Sequence, residues 1–181
     1  MPRYTMVSNS SPLIRFYRGE CPDHAGRTLA EILAWPDVRL ETVHDYIQWL
    51  FPLAVPSEFN PHAPILTAND VAVFRQDGPC RDNFLRAYTR LLRFYGLECD
   101  TTDPDDVYVD PALIFEVRSR VWLNADNHNY LRITRILRSS QLLGCSAYAK
   151  ALFDCLNRLY REAGGRIGVE TYSHWCKAMG L

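Results

Sequence analysis

The stretch Arg81–Tyr95, RDNFLRAYTRLLRFY, decides the fold class of this 181-residue chain. Its apolar residues recur every three to four positions, and its arginines fall mainly on the opposite side, which is the pattern of an amphipathic α-helix. Gly96 follows at once, as is typical of a helix C-terminus. The pattern predicts a helix with an inner face of Phe84, Leu85, Tyr88, Leu91, Leu92 and Tyr95 and an outer face of Arg86, Arg90 and Arg93.

Helix signals recur along most of the chain and predict the overall architecture. Thr28 with Glu31, and Thr67 with Asp70, have the spacing of a capping box, in which side chains satisfy the free N–H groups of a helix start. We see no strand-like alternation longer than Val107-Tyr108-Val109. The sequence therefore predicts an all-α fold, a single domain over residues 1–181 built as an irregular bundle of about seven or eight helices.

The segment from Cys99 to Asp110 interrupts the helical pattern. It is acidic and is expected to form a loop. Pro111 is expected to begin the next helix, since proline suits the first helical position. That helix would turn Leu113, Ile114, Val117 and Val121 inward, and the loop before it carries Asp100, Asp103, Asp105, Asp106 and Asp110.

Composition and charge argue against several classes of function. The formal net charge of −1 provides no overall field toward nucleic acid or a membrane surface. No apolar stretch reaches the roughly 18–20 residues of a membrane span, and no secretory signal is visible. The six cysteines form no CxxC pair, which favours reduced thiols in the cytoplasm. We expect a protein without a cofactor or a bound metal, and nucleic acid is disfavoured as a partner.

Two stretches contain more aromatic, histidine, amide and arginine side chains than an amphipathic helix requires. Residues 44–52 read HDYIQWLFP, and residues 127–137 read NHNYLRITRIL. We call them the first and the second motif. The first is expected on a helix that begins at Asp37 and carries Leu40, Val43, Ile47 and Leu50, and the second begins a helix from about Asn129 to Leu143.

The second motif is the stronger candidate for a binding site. His128, Arg132, Arg135 and Arg138 are spaced so that they share one helical face, opposite the apolar face of the same helix. Such a column could hold a carboxylate or a phosphate, because guanidinium groups form strong hydrogen bonds with both. Alternatively, the arginines pair with acidic residues of the chain itself, such as those of the 100–110 loop, as a buried ionic network.

The first motif also has two interpretations. An aromatic stripe at helical spacing, here Tyr46 and Trp49, usually belongs to a core. The functional interpretation puts His44, Asp45 and Gln48 in a pocket. His44-Asp45 is also the dipeptide of the HD-domain phosphohydrolases, but no recognisable spacing completes a metal ligand set.

Together the two motifs resemble the conserved N-terminal domain of the opioid growth factor receptor family. The family's YIQWLFP and HNYLRITRIL segments both stand here without a break, at residues 46–52 and 128–137. Phe16-Tyr17-Arg18 resembles the family's opening FYR, and Phe94-Tyr95-Gly96 resembles the end of its middle helix. The similarity covers about residues 13–160.

What the resemblance implies concerns both architecture and function. Animal members carry the domain ahead of a long tail and are described as nucleus-associated receptors for an enkephalin peptide. The family also includes stand-alone bacterial and fungal proteins, and this chain looks more like those.

The sequence leads to one main hypothesis and two alternatives. The main hypothesis is a non-catalytic binding module that recognises a peptide, a protein or a small anionic ligand. The alternatives are a metal- or phosphate-dependent hydrolase that uses His44, Asp45 and His128, and a purely structural interaction domain. The main hypothesis requires the motifs to meet in a cleft lined by Tyr46, Gln48, Trp49, His128, Asn129, Tyr130, Arg132 and Arg135.

Overall fold

A computed structural model describes residues 10–103, 106–163 and 165–181. Within these ranges the chain forms ten helices and one two-stranded antiparallel sheet. The helices are α1 (Pro12–Tyr17), α2 (Leu29–Leu33), α3 (Asp37–Thr42), α4 (Ile47–Leu50), α5 (Ala68–Gln76), α6 (Gly78–Tyr95), α7 (Phe115–Trp122), α8 (Asn129–Leu142), α9 (Ser146–Glu162) and α10 (Val169–Met179), and the strands are β1 (Leu97–Asp103) and β2 (Asp106–Pro111).

Helix α6 is the central element, as its periodicity predicts. The helix begins after Asp77, whose carboxylate accepts a hydrogen bond from the backbone N–H of Cys80 at 3.0 Å. Its apolar face is buried and meets α1, α2, α5, α7 and β1. Gly96 ends the helix with a φ of +77°, a backbone conformation that glycine adopts without strain. Both predicted capping boxes, at the starts of α2 and α5, are confirmed.

The predicted all-α fold is wrong, because the expected acidic loop is a β-hairpin. Leu97 pairs with Pro111, and Cys99 pairs with Val109. In β2, the inward-facing Val107 and Val109 alternate with the exposed Asp106, Tyr108 and Asp110, and β2 packs on α9. The strand β2 turns only Val107 and Val109 toward the core, so its alternation is too short to be recognised alone. Of the five aspartates in the segment, Asp105 lies outside the described residues.

The helix expected from Pro111 begins later than predicted and presents a different face. Pro111 is the last residue of β2, and α7 begins at Phe115. Leu113 and Val117, which were expected to point inward, are exposed. The helix is fixed instead by Trp122, which is fully buried and whose indole N–H donates to the carbonyl of Tyr95 at 2.9 Å.

The prediction of one continuous helix from Asp37 through Leu50 is also wrong, because the chain forms two helices there. Helix α3 ends at Thr42, and Val43 has an extended backbone with φ −92° and ψ 132°. The chain becomes helical again only at Ile47, where α4 begins. The break turns the first motif away from the axis of α3. Among the described residues, no helix combines the length and the apolar character that crossing a bilayer requires.

Gly96 provides a direct test of how tightly α7 packs against the end of α6. A Cβ atom at this position would lie 2.8 Å from the Cβ of Arg118 and 2.9 Å from the Cα of Phe115. Gly19 has a similar φ of +75° but open space around it. Gly19→Ala is therefore expected to lower the free energy of unfolding by about 1 kcal/mol, the cost of a left-handed alanine. Gly96→Ala is expected to lower it by at least about 1 kcal/mol more, because α7 must shift.

Urea unfolding of the two variants beside the natural protein measures this difference. Equal losses in Gly19→Ala and Gly96→Ala would contradict the close approach of α7 to the end of α6.

Candidate functional site

A cleft of about 500 Å³ lies where the two motifs meet. The first motif reaches it from the break before α4 and from α4 itself, and the second motif reaches it along α8. The loop after α4 closes the third side. The lining residues are His44, Ile47, Gln48, Leu53, Phe59, His128, Leu131, Arg132, Thr134, Arg135 and Arg138. None of these is acidic.

Helix α8 presents the cationic column that its spacing predicts. His128, Arg132, Arg135 and Arg138 all line the cleft. The opposite face of α8 belongs to the core, where Ile133, Ile136 and Leu137 are almost fully buried. Burial of that apolar face fixes the rotation of the helix, so the column has no other direction in which to point.

Arg132 is a structural residue that fastens α8 to the end of α3. Its side chain is only 5% exposed. The Nη1 atom donates to the carbonyl of Leu40 at 2.9 Å, and Nη2 donates to the carbonyls of Val43 at 3.0 Å and Glu41 at 3.2 Å. These carbonyls at the end of α3 have no partner within the helix, and a guanidinium group suits them in charge and geometry. The break between α3 and α4 is thus held open by an arginine of the second motif.

A carboxylate compensates Arg132 and its neighbours at the inner end of the cleft. Glu41 accepts a hydrogen bond from the amide of Asn129 at 3.1 Å and lies 3.9 Å from Nη1 of Arg132. His128 Nε2 lies 3.4 Å from Glu41 but makes no hydrogen bond, and its ring is 5.0 Å from that of His44. Burial, and then the charge of Arg132, lower the pKa of His128 below 6.5. His128 is therefore neutral at pH 7.

Arg135 has no such compensation. Its guanidinium is half-buried and donates one hydrogen bond, from Nη1 to the carbonyl of Phe51 at 3.2 Å. No carboxylate of the described residues is within ion-pairing distance of Arg135 or Arg138. Burial, and then the charge of Arg138, lower the pKa of Arg135 to about 10, so the group is still a cation at neutral pH. Arg135 thus brings a partly desolvated positive charge to the cleft.

The rest of the lining is mostly apolar, with one unsatisfied amide. Ile47 and Leu53 form the floor and are 4% and 6% exposed, whereas Phe59 and Leu131 form an exposed rim. The side chain of Gln48 is buried, and its carboxamide oxygen has no hydrogen-bond partner. A buried polar group of this kind needs water or a ligand, since leaving it unpaired costs about 1–3 kcal/mol.

Three predicted binding residues lie in the core beside the cleft and not in its lining. The hydroxyl of Tyr46 donates to the carbonyl of Leu40 at 3.1 Å. Asn129 is fully buried and contacts Glu41, as described above. Tyr130 packs edge-on against Trp175, and its hydroxyl donates to the carbonyl of Arg166 at 3.3 Å. In this structure the three side chains lie outside the lining of the cleft, and their contacts hold the two motifs in position.

Trp49, a fourth predicted binding residue, belongs to a separate polar cluster. Its indole N–H donates to Nδ1 of His24 at 3.0 Å, and Nε2 of His24 lies 3.2 Å from the carboxylate of Asp45. Asp45 also binds Arg27 at 2.8 Å. The hydrolase alternative requires Asp45 beside His44 and His128, but the carboxylate is engaged elsewhere. In the described part of the chain, no three His, Cys, Asp or Glu side chains gather as metal ligands would.

Sequence reasoning missed the apolar part of the lining. Leu53 and Phe59 follow the first motif in an irregular stretch with several prolines, where no periodicity assigns a residue to a face. The available signal is that a loop so rich in large apolar residues must cover something. Leu131 lies within the second motif, and its helical spacing from His128 and Arg135 places it on the same face.

Two substitutions separate the structural arginine from the unpaired one. Arg132→Met is expected to lower the free energy of unfolding by about 2–4 kcal/mol, because the carbonyls of Glu41 and Val43 lose their side-chain donor and that of Leu40 keeps only the hydroxyl of Tyr46. Arg135→Met, in contrast, is expected to lower it by no more than about 0.5 kcal/mol, since it removes a charge without a partner. Guanidinium chloride unfolding measures both. A loss in Arg135→Met as large as that in Arg132→Met would show that both arginines are structural.

Comparisons with known proteins agree with the two motifs. The chain matches the opioid growth factor receptor (OGFr) conserved region over residues 8–160. It is 40% identical to the opioid growth factor receptor of Mus musculus over 143 residues, which are 77% of this chain and 22% of that protein. The Homo sapiens receptor is 38% identical over 151 residues, 80% of this chain and 21% of that protein.

A second group of relatives carries a different name. Opioid growth factor receptor-like protein 1 of Rattus norvegicus is 36% identical over 144 residues, 77% of this chain and 30% of that protein. The chain thus spans less than a third of the length of these curated relatives. No solved structure matches it. The matched region contains both motifs and every residue that lines the cleft, and the chain belongs to the opioid growth factor receptor family.

Proposed function

We propose that this domain is a non-catalytic binding module whose cleft recognises an anionic group on a peptide, a protein or a small ligand. The observation that carries the proposal is Arg135, a half-buried cation without a carboxylate partner, in a concave site of about 500 Å³. Pockets of this volume with apolar walls and a few fixed polar groups are typical of ligand sites.

The cost of desolvating Arg135 supports a ligand more than a structural role. A charge withdrawn from water without a counter-ion destabilises the folded protein unless something else satisfies it. The neighbouring Arg138 adds repulsion, which also lowers the pKa of Arg135. A bound anion would relieve both effects. Residues that are unfavourable for folding in this way are often retained for function.

The purely structural alternative accounts for Arg132 but not for Arg135. The N–H groups of Arg132 already donate hydrogen bonds to the carbonyls at the end of α3 and to the side chain of the neighbouring Asn129. Arg135 makes one backbone hydrogen bond from a group that has five N–H donors. We therefore assign the recognition of the anion to Arg135, with Arg138 at the exposed end of the column.

The family relationship supports binding in a general way. The curated relatives are named as growth factor receptors or as receptor-like proteins, and a receptor is a binding protein. Because the chain spans less than a third of these proteins, we carry over only the idea of ligand binding. We propose the cytoplasm as its compartment.

The proposal is tested with 8-anilinonaphthalene-1-sulfonate, an aromatic anion that becomes fluorescent in apolar surroundings. The protein is expected to bind about one equivalent saturably. Arg135→Gln is expected to weaken the affinity at least about tenfold, because a hydrogen bond to a charged group contributes about 1.5–3 kcal/mol. Fluorescence titration measures both quantities.

Arg161→Gln is the matched control, since Arg161 is exposed on α9 and does not line the cleft. Its affinity for the dye is expected to equal that of the natural protein. If Arg135→Gln, shown to be folded by circular dichroism, binds the dye as tightly as Arg161→Gln does, the proposed function is wrong.

A further inference from the structure

The chemistry of the cleft narrows the class of ligand. We infer that the cleft takes an amphiphile with a single carboxylate, which binds Arg135 and Gln48 while the hydrocarbon body covers Ile47 and Leu53. This inference rests on the proposed function and deepens it. The proposed function specifies only an anion, whereas this inference specifies a carboxylate headgroup, a single negative charge and a hydrocarbon body.

The polar groups of the cleft suit a carboxylate. Arg135 presents a planar fork of N–H donors, which matches the two oxygens of a carboxylate. Gln48 lines the same cleft, and its buried carboxamide oxygen has no partner within hydrogen-bond distance. Rotation about χ3 exchanges the oxygen and the NH₂ group of a glutamine, so this amide can donate to a carboxylate. Arg135 and Gln48 together would satisfy both oxygens.

The charge of the site favours one negative charge over two. Glu41 already compensates the inner end of the column, where it contacts Arg132 and Asn129. The charge left over inside the cleft is that of the half-buried Arg135, because Arg138 is exposed and its charge is screened by solvent. A phosphate dianion would bring a second charge into a mostly apolar cleft, and its desolvation would cost more than that of a carboxylate.

The walls favour a hydrocarbon body over an extended peptide. A peptide backbone presents an N–H and a C=O group at each residue, and each needs a partner when buried. Apart from His44 and His128, the described residues of the lining offer two uncharged hydrogen-bonding side chains, Gln48 and Thr134, and the hydroxyl of Thr134 already donates to the carbonyl of Tyr130 at 2.9 Å. A hydrocarbon body needs no hydrogen-bond partners, so it suits the apolar floor of Ile47 and Leu53 and the apolar rim of Phe59 and Leu131.

Isothermal titration calorimetry with decanoate, below its micelle-forming concentration, tests the inference. Decanoate is expected to bind with a stoichiometry of one, at least about tenfold more tightly than decanamide, which has the same body without the charge. It is also expected to bind at least tenfold more tightly than decyl phosphate. Acetate, which has the headgroup alone, is expected to bind more weakly still, because the burial of each CH₂ group contributes about 0.8 kcal/mol.

Two variants assign the two ends of the ligand. Arg135→Gln is expected to reduce the affinity for decanoate at least about tenfold and to leave that for decanamide unchanged. Phe59→Ser is expected to reduce the affinities for decanoate and decanamide alike, by about fivefold, through lost apolar contact. Phe59 is 81% exposed, so its replacement should leave the fold intact. Arg161→Gln again serves as the control.

Acetyl-glycyl-leucine, a peptide with a free apolar carboxyl end, distinguishes the source of the carboxylate. Tighter binding of decanoate supports the hydrocarbon body, and tighter binding of the peptide would overturn the inference. Equal affinities for decanoate and decanamide, or tighter binding of decyl phosphate, would overturn the inference. If that happens while Arg135→Gln still weakens the binding of the sulfonate dye, the proposed function survives. If Arg135→Gln affects no anion, both fail.

Discussion

The guanidinium of Arg132 and the carbonyls at the end of α3 form the contact on which the rest of this structure depends. The contact joins residues about 90 positions apart and supplies donors for backbone groups that helix α3 leaves unpaired. It also explains why the chain can leave the helical conformation at Val43 and resume it at Ile47. Without that break, His44 and Gln48 could not face α8, and the two motifs would not share a cleft.

One helical row thus carries arginines with different tasks. Arg132 is buried by hydrogen bonds to the backbone and is compensated by Glu41. Arg135, one turn later, lies in the same row but past the end of α3, and it meets the cleft with a single backbone hydrogen bond. Arg132 holds the two sides of the cleft together, and we propose that Arg135 binds the ligand. A motif that looks uniform in sequence therefore divides into a structural part and a binding part, according to what each guanidinium meets.

Sequence reasoning succeeded where the deciding forces are local and failed where they are not. Helix α6 and the capping box of Thr67 and Asp70 depend on residues a few positions apart, so the sequence alone predicts them. The hairpin depends on packing against α9, a helix that comes much later in the sequence and covers Val109. The break at Val43 depends on Arg132, which is 89 residues away. The cationic column of α8 was predictable from spacing. The different roles of Arg132 and Arg135 within this column were not predictable, because they depend on where α3 ends.

Side-chain NMR of the arginines tests this division most directly. Hydrogen bonds to fixed carbonyls should stop rotation about the guanidinium bonds of Arg132, so its Nη resonances should be resolved in the free protein. Those of Arg135 should be averaged in the free protein and should sharpen and shift when the sulfonate dye is added, while those of Arg132 stay in place. Two arginines that are equally restrained without a ligand, with Arg135 unmoved by the anion, would contradict the account.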